Sequence, residues 1–204
     1  MSEWQSRWKT VIGKLQVVSD PAQAQHLLEA LCRPEAPTVL GFVNAHGMNL
    51  VAGNADYCKA LCSADVLLRD GAGMAILYRR LGLDPGLNMN GTDFIPKLLA
   101  AFKGRRVAFW GTQEPFLSQA VQCSEARFGV LPVSVHDGFA DVDTYLELAR
   151  ATQPELIVLG MGKLGSAGLD VFDDELHGVG PGNGCHIEHE RHLAARGALL
   201  LDVA

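Results

Sequence analysis

Asp70 is the residue whose type and setting point most directly to chemistry. It follows the run 65–68 (DVLL) and Arg69, and it precedes Gly71, Gly73 and a stretch of helical spacing. A carboxylate at the end of a buried strand, beside a helix N-terminus, is favoured in its ionised form. Such a group can take a proton from a hydroxyl, the general-base step of transfer to an alcohol acceptor. An aspartate that merely caps the helix would occupy the same position, and spacing alone leaves the two readings even.

Other polar residues fall at equivalent places. Asn44, His46 and Asn49 follow the apolar run 38–43 (TVLGFV). Gly111, Thr112 and Gln113 follow 106–110 (RVAFW), and His136, Asp137 and Gly138 follow 131–135 (LPVSV). Gly160, Met161 and Gly162 follow 155–159 (ELIVL). In open parallel sheets, ligands bind beyond the carboxyl ends of the strands. Turn chemistry explains any single exit, since Asn, Asp and Gly are common there. It explains less well a histidine, an arginine and several carboxamides gathered on one edge. The helix starts after Gly71, Gly91, Gly111 and Gly162 offer free N–H groups to a diphosphate.

The elements that must position these residues alternate along the chain. Helical stretches are predicted over 49–61, 73–81, 94–102, 115–128 and 144–151, between the strand-like runs. Thr92 or Asp93 is expected to cap the third of them. Upstream, 11–18 reads as an added strand and 21–31 as a helix. Alternation of this kind predicts an α/β fold, a Rossmann-like parallel sheet with helices on both faces.

Beyond Lys163 the texture changes. Residues 164–204 are rich in glycine and histidine and carry a net charge of -5, against -1 for residues 1–163. This predicts an α/β domain over 1–163 and a loosely ordered, atypical tail over 164–204, with helical character only in 188–201.

Three patterns carry less than they suggest. Gly160-Met161-Gly162-Lys163-Leu164-Gly165 matches a dinucleotide fingerprint, but 166–174 makes a poor helix and the motif follows the last strand. An NAD(P)-dependent oxidoreductase resting on it is the alternative reading. Asp141-Val142-Asp143 sits before a helix and reads as a cap. His186, Glu188, His189, Glu190 and His192 match no zinc spacing and read as a solvated helix.

The totals exclude some classes. With 204 residues, 48% apolar and 20% charged, the chain can bury a core. A net charge of -6 offers no basic face for nucleic acid. The five cysteines are odd in number and scattered; Cys58 and Cys62, one helical turn apart, read as buried thiols on a helix in a reducing compartment. Residues 1–16 lack the apolar core of a secretory signal, and no run approaches the roughly 20 apolar residues of a spanning helix. The expectation is a cytoplasmic protein. The sequence leaves oligomeric state open; Met74 to Leu81 is an apolar stretch that can pair with a copy of itself in a homo-oligomer.

Taken together, FVNAH (42–46), DVLLRDGAGM (65–74), NMNGTDFIPKLL (88–99), WGTQEP (110–115), HDGF (136–139) and PELIVLGMG (154–162) resemble the WecG/TagA/CpsF glycosyltransferases over residues 10–163. The resemblance implies a GT-E type fold and an inverting, metal-free transfer with no cofactor. The donor would be a UDP-sugar and the acceptor a sugar on a polyprenyl diphosphate, at the inner face of the plasma membrane. The products would be cell-surface polysaccharides, and the subgroup looks like xanthan-type exopolysaccharide enzymes using UDP-glucose. Asp70 then corresponds to the catalytic base and Asn44 to an active-site asparagine. His46, Arg69, Asn90, Thr92, Asp93, Gly111, Thr112, His136, Asp137, Gly138, Phe139 and Gly162 fall on substrate-binding segments.

Three departures stand against the family pattern. Asn88 occupies the place of a frequent arginine, so Arg69 or a backbone N–H would have to meet the diphosphate. Lys163-Leu164-Gly165-Ser166 replaces a Pro-Lys-Gln-Glu motif. The tail is acidic where the family carries a basic, membrane-contacting appendage. The last two imply a chain that leaves its family at about Lys163, as a weakened enzyme or an inactive nucleotide-binding remnant.

Overall fold

The computed structural model describes residues 1–160 and the backbone of residues 198–201. Gly162 and the remainder of the tail, with its histidine cluster and the end of the GMGKLG motif, lie outside the described residues.

Six strands form one parallel sheet: β1 (Thr38–Val43), β2 (Val66–Arg69), β3 (Val107–Gly111), β4 (Ser134–His136), β5 (Leu156–Gly160) and β6 (Ala198–Leu201). Their order is β2-β1-β6-β5-β3-β4. Four of the apolar runs read from the sequence match β1, β2, β3 and β5 to within a residue at either end. These strands are covered on both faces, which is why they read as continuous apolar runs. In the fourth run the strand shifts towards its end: Leu131 and Val133 are exposed, and pairing begins only at Ser134.

Helices cover both faces. On one, α2 (Pro21–Cys32), α6 (Gly91–Ala101) and α7 (Phe116–Phe128) pack on Leu40, Phe42, Leu68, Phe109 and Leu156. On the other, α1 (Glu3–Lys14), α3 (Ala45–Gly53), α4 (Ala55–Ser63) and α5 (Gly71–Arg80) pack on Val43 and Leu67. There α8 (Val142–Thr152) packs on Ala108, Trp110, Ile157 and Leu159. The register aligns Leu40 with Phe109 through β6 and β5, so the alternating side chains divide cleanly between the faces.

Four expectations need correction. The strand expected over 11–18 is the end of α1 followed by an extended segment. Trp8, Val11, Ile12 and Leu15 recur at helical spacing and join one apolar cluster. Gln16 keeps a strand-like bond, its N–H donating to the Leu67 carbonyl at 2.8 Å beside the outer edge of β2. The helix expected over 49–61 is two helices, divided where Asn54 turns extended and accepts from the N–H groups of Asp56 and Tyr57. Neither Thr92 nor Asp93 caps α6. Asn90 does, its Oδ1 accepting from Asp93 N–H at 2.8 Å. Finally, 198–201 is not helical. This uninterrupted apolar run pairs with β1 on one side and β5 on the other, at the centre of the sheet.

The helical stretch 74–81 turns Met74, Ala75 and Tyr78 inward, while Ile76 and Leu81 are exposed. Its apolar residues therefore serve mainly the chain's own core. Cys58 and Cys62 both lie on α4, where burial and the neighbouring Cys58 push the Cys62 thiol up to about 11. Among the described residues, no helix is long and apolar enough to cross a membrane.

Candidate active site

The carboxyl edge of the sheet carries two groups of candidate residues. Neighbouring strand ends bring Asn44 and Asp70 together. Val43 is in register with Arg69, and Asp70 N–H donates to the Val43 carbonyl at 2.8 Å. Asn44 caps α3, its Oδ1 accepting from Gly47 N–H at 2.9 Å. His46 lies exposed in the first turn of α3. The N-termini of α3 and α5 meet closely: a Cβ on Gly73 would lie 2.7 Å from the Ala45 Cβ. Two positive helix ends therefore flank Asp70 and Asn44.

Asp70 stands at the N-cap position of α5, yet its side chain makes no capping bond. Gly71, with φ of 81°, turns the chain between Asp70 and the regular helix. The Gly71 N–H donates instead to Asn88 Oδ1 at 2.8 Å. Burial pushes the Asp70 carboxyl above its ordinary value; Arg69 opposes this and Asp93 adds to it. Asp93 is thereby brought from the first turn of α6 to within electrostatic reach of Asp70, with Thr92 exposed beside it.

Arg69 is only 5% exposed. Its guanidinium donates to the carbonyls of Pro85, Gly86 and Gly71 and to Asn88 Oδ1. These bonds hold the loop after α5 against β2. Sequence reasoning marks Asn88 only as a replaced arginine. The signal for its part here is its place at the end of a Gly/Asn/Pro stretch just before the Asn90 cap.

The second group lies at the ends of β3 and β4. Gly111 has φ of 115°, and a Cβ there would meet the Gly160 backbone at 2.6 Å. Only glycine fits this approach of β3 to β5. Thr112 follows at φ of 57°, an uncommon conformation for a side-chain-bearing residue and one that gathers at functional sites. Its carbonyl accepts from Gly138 N–H at 3.1 Å, tying the two turns together. Between Gly111 and α7 lie four residues, so the start of α7 is set back from the Gly111 turn.

Asp137 shapes the second turn, its Oδ1 accepting from Phe139 N–H at 3.0 Å. The Tyr145 hydroxyl donates to the Asp137 carbonyl, and the Tyr145 ring meets that of His136 edge-on at 5.5 Å. Tyr145 does not stand out in the sequence, since a tyrosine on an amphipathic helix reads as core. Phe139 is 59% exposed. Asp141 caps α8, accepting from Thr144 N–H at 2.9 Å and Oγ1 at 2.8 Å, in keeping with the capping reading of Asp141-Val142-Asp143.

By strand order, three strand intervals separate the β1 exit from the β3 exit, about 14 Å at ordinary spacing. One edge thus carries a raised carboxyl among helix ends and, across β6 and β5, a pair of linked turns with an exposed aromatic ring. The model of the WecG/TagA/CpsF glycosyl transferase family matches residues 11–164. The chain belongs to this family. The match covers every described candidate residue and supports a role as a glycosyltransferase in polysaccharide biosynthesis. Among curated proteins, none gives a significant sequence match.

Proposed function

We propose that this glycosyltransferase moves a sugar from a UDP-sugar to a hydroxyl of a polyprenyl-diphosphate-linked sugar, with inversion, and that Asp70 is the general base. One observation carries the reading: a carboxylate at a helix N-terminus that makes no cap bond and is pushed upward by burial and by Asp93. A group so placed is available to take a proton.

The acceptor oxygen attacks the anomeric carbon from the face opposite the diphosphate. The new C–O bond forms as the bond to UDP breaks, and the hydroxyl proton passes to Asp70. Negative charge developing on the departing diphosphate suits the N-termini of α3 and α5 and the Asn44 amide. The linked turns 111–112 and 136–139 suit the nucleoside. His46, Asn90, Thr92 and Asp93 then lie on the acceptor side. Access to a lipid-linked acceptor places the enzyme peripherally on the inner face of the plasma membrane.

The test is radiolabel transfer from UDP-glucose to a short polyprenyl diphosphate sugar, beside thermal shifts with UDP and with NAD. Transfer together with a shift by UDP alone is the expected result. A shift by NAD and none by UDP would remove this reading.

A further inference from the structure

We propose that Asn88 is the positioning residue of Asp70: its Oδ1, held between the Gly71 N–H and the Arg69 guanidinium, keeps the Asp70 carboxylate off the helix end and out of an ion pair. The inference rests on the reading of Asp70 as proton acceptor, and it concerns how this chain compensates for an asparagine at that place.

An aspartate at an N-cap ordinarily accepts from N–H groups of the first turn, and this lowers its proton affinity. An arginine next to it ordinarily pairs with it, to the same effect. Neither happens here. Asn88 Oδ1 accepts from Gly71 N–H at 2.8 Å, which anchors the peptide joining Asp70 to the left-handed Gly71. The same oxygen takes Arg69 Nη1 at 3.4 Å, and the Gly71 carbonyl takes it at 3.3 Å. The other guanidinium contacts are with the carbonyls of Pro85 and Gly86.

Asn88 can do this because the loop delivering it is pinned. Leu87 N–H donates to the Val18 carbonyl at 2.7 Å. A Cβ on Gly86, with φ of 59°, would come within 2.4 Å of that carbonyl, so glycine is required for the approach. Just beyond, Met89 is buried among the side chains that pack on α6. The charged groups facing Asp70 are Arg69 on β2 and Asp93 on α6. Arg69 in turn faces Tyr78 and Arg79 of α5 and Asp84 of the loop.

The test follows the Asp70 side-chain carboxyl by 13C NMR across pH, in the full chain and in Asn88→Ala and Asn88→Asp. In Asn88→Ala the Asp70 midpoint moves to lower pH, because helix end and arginine both become available to the carboxylate. The acid limb of the transfer profile moves with it, and kcat falls roughly tenfold with little change in the donor KM. Asn88→Asp keeps the acceptor and adds a like charge, so the midpoint returns to or above the parent value. An Asp70 midpoint unmoved in Asn88→Ala, or lowered in Asn88→Asp, overturns the proposal, as does a fall in thermal stability in both variants with Asp70 titrating as before. The titration needs no substrate, so it is read separately from the transferase reading. Failure of that reading appears instead as transfer retained by Asp70→Asn.

Discussion

Asp70 illustrates what a single residue owes to its surroundings. Its folded-state proton affinity is raised by burial and by Asp93, so folding favours its protonated form. That contribution to stability is complete below the unfolded carboxyl's ordinary value of 3.8 and is lost as pH rises through the folded value. At neutral pH the ionised Asp70 therefore works against the fold. Asp70→Asn should reduce transfer by about 10²–10⁴-fold while leaving the melting temperature at pH 7 unchanged or higher. Retained transfer would remove Asp70 as the base, and a clear drop in melting temperature would make its role structural. Spacing in the sequence leaves this residue balanced between cap and base. Its side chain is left free of the helix end by Gly71, its neighbour in the chain, and by Asn88, which lies 17 residues beyond Gly71 and meets it through the fold.

At the level of elements, the edge depends on how closely α3 and α5 begin. Gly73→Val would drive a side chain into Ala45, whose Cβ cannot swing aside. The expected cost is about 1–3 kcal/mol of stability in denaturant unfolding, with a larger fractional loss of transfer, because both helix ends shift. A loss of stability with no loss of activity would show that the helix spacing does not serve the site. A second element contact sets acid tolerance. Glu155, at the start of β5, accepts from Arg106 N–H at 3.1 Å and from Arg105 Nε at 3.2 Å. The backbone bond first, and the arginines after it, hold its carboxyl below the ordinary value of 4.5. This stability is present above about pH 4.5 and lost as pH falls through the lower folded value. Glu155→Gln should therefore lower stability at pH 7 and flatten its decline in acid, as measured by urea unfolding at several pH values. An unchanged pH profile would count against the assignment.

The whole molecule turns on the centre of the sheet. β6 bonds to β1 and β5, the strands that carry Asn44 on one side and Gly160 on the other. Removing residues 198–204 would leave two long apolar strands with open edges facing each other. Such a chain is expected to melt at markedly lower temperature and to aggregate at micromolar concentration, read by circular dichroism and light scattering. Melting and solubility like those of the full chain would show that the sheet closes without β6. The same strand order spaces the Asp70 group from the 111–112 and 136–139 turns.

Much of this fold is legible in the residues alone. Buried parallel strands announce themselves as apolar runs, since neither face meets water, and β1, β2, β3 and β5 are placed by their runs to within a residue. Their exits single out Asn44, Asp70, Gly111 and Gly160 for the same reason, because polar and glycine residues interrupt those runs. Legibility fails where a residue's role depends on a partner distant in sequence. Asn88 reads as a lost arginine and 11–18 as a strand, because neither reveals which loop or apolar cluster it will meet. The run 198–201 fails differently: four apolar residues fit a helix or a strand equally, and only the gap between β1 and β5 chooses between them. The sequence by itself determined the kinds of element and the polar residues at their ends, since those follow from local periodicity. Which strands are neighbours, and hence which ends share a site and whether Asp70 caps its helix or stands free of it, is decided by long-range packing and hydrogen bonds, and only the tertiary structure contains them.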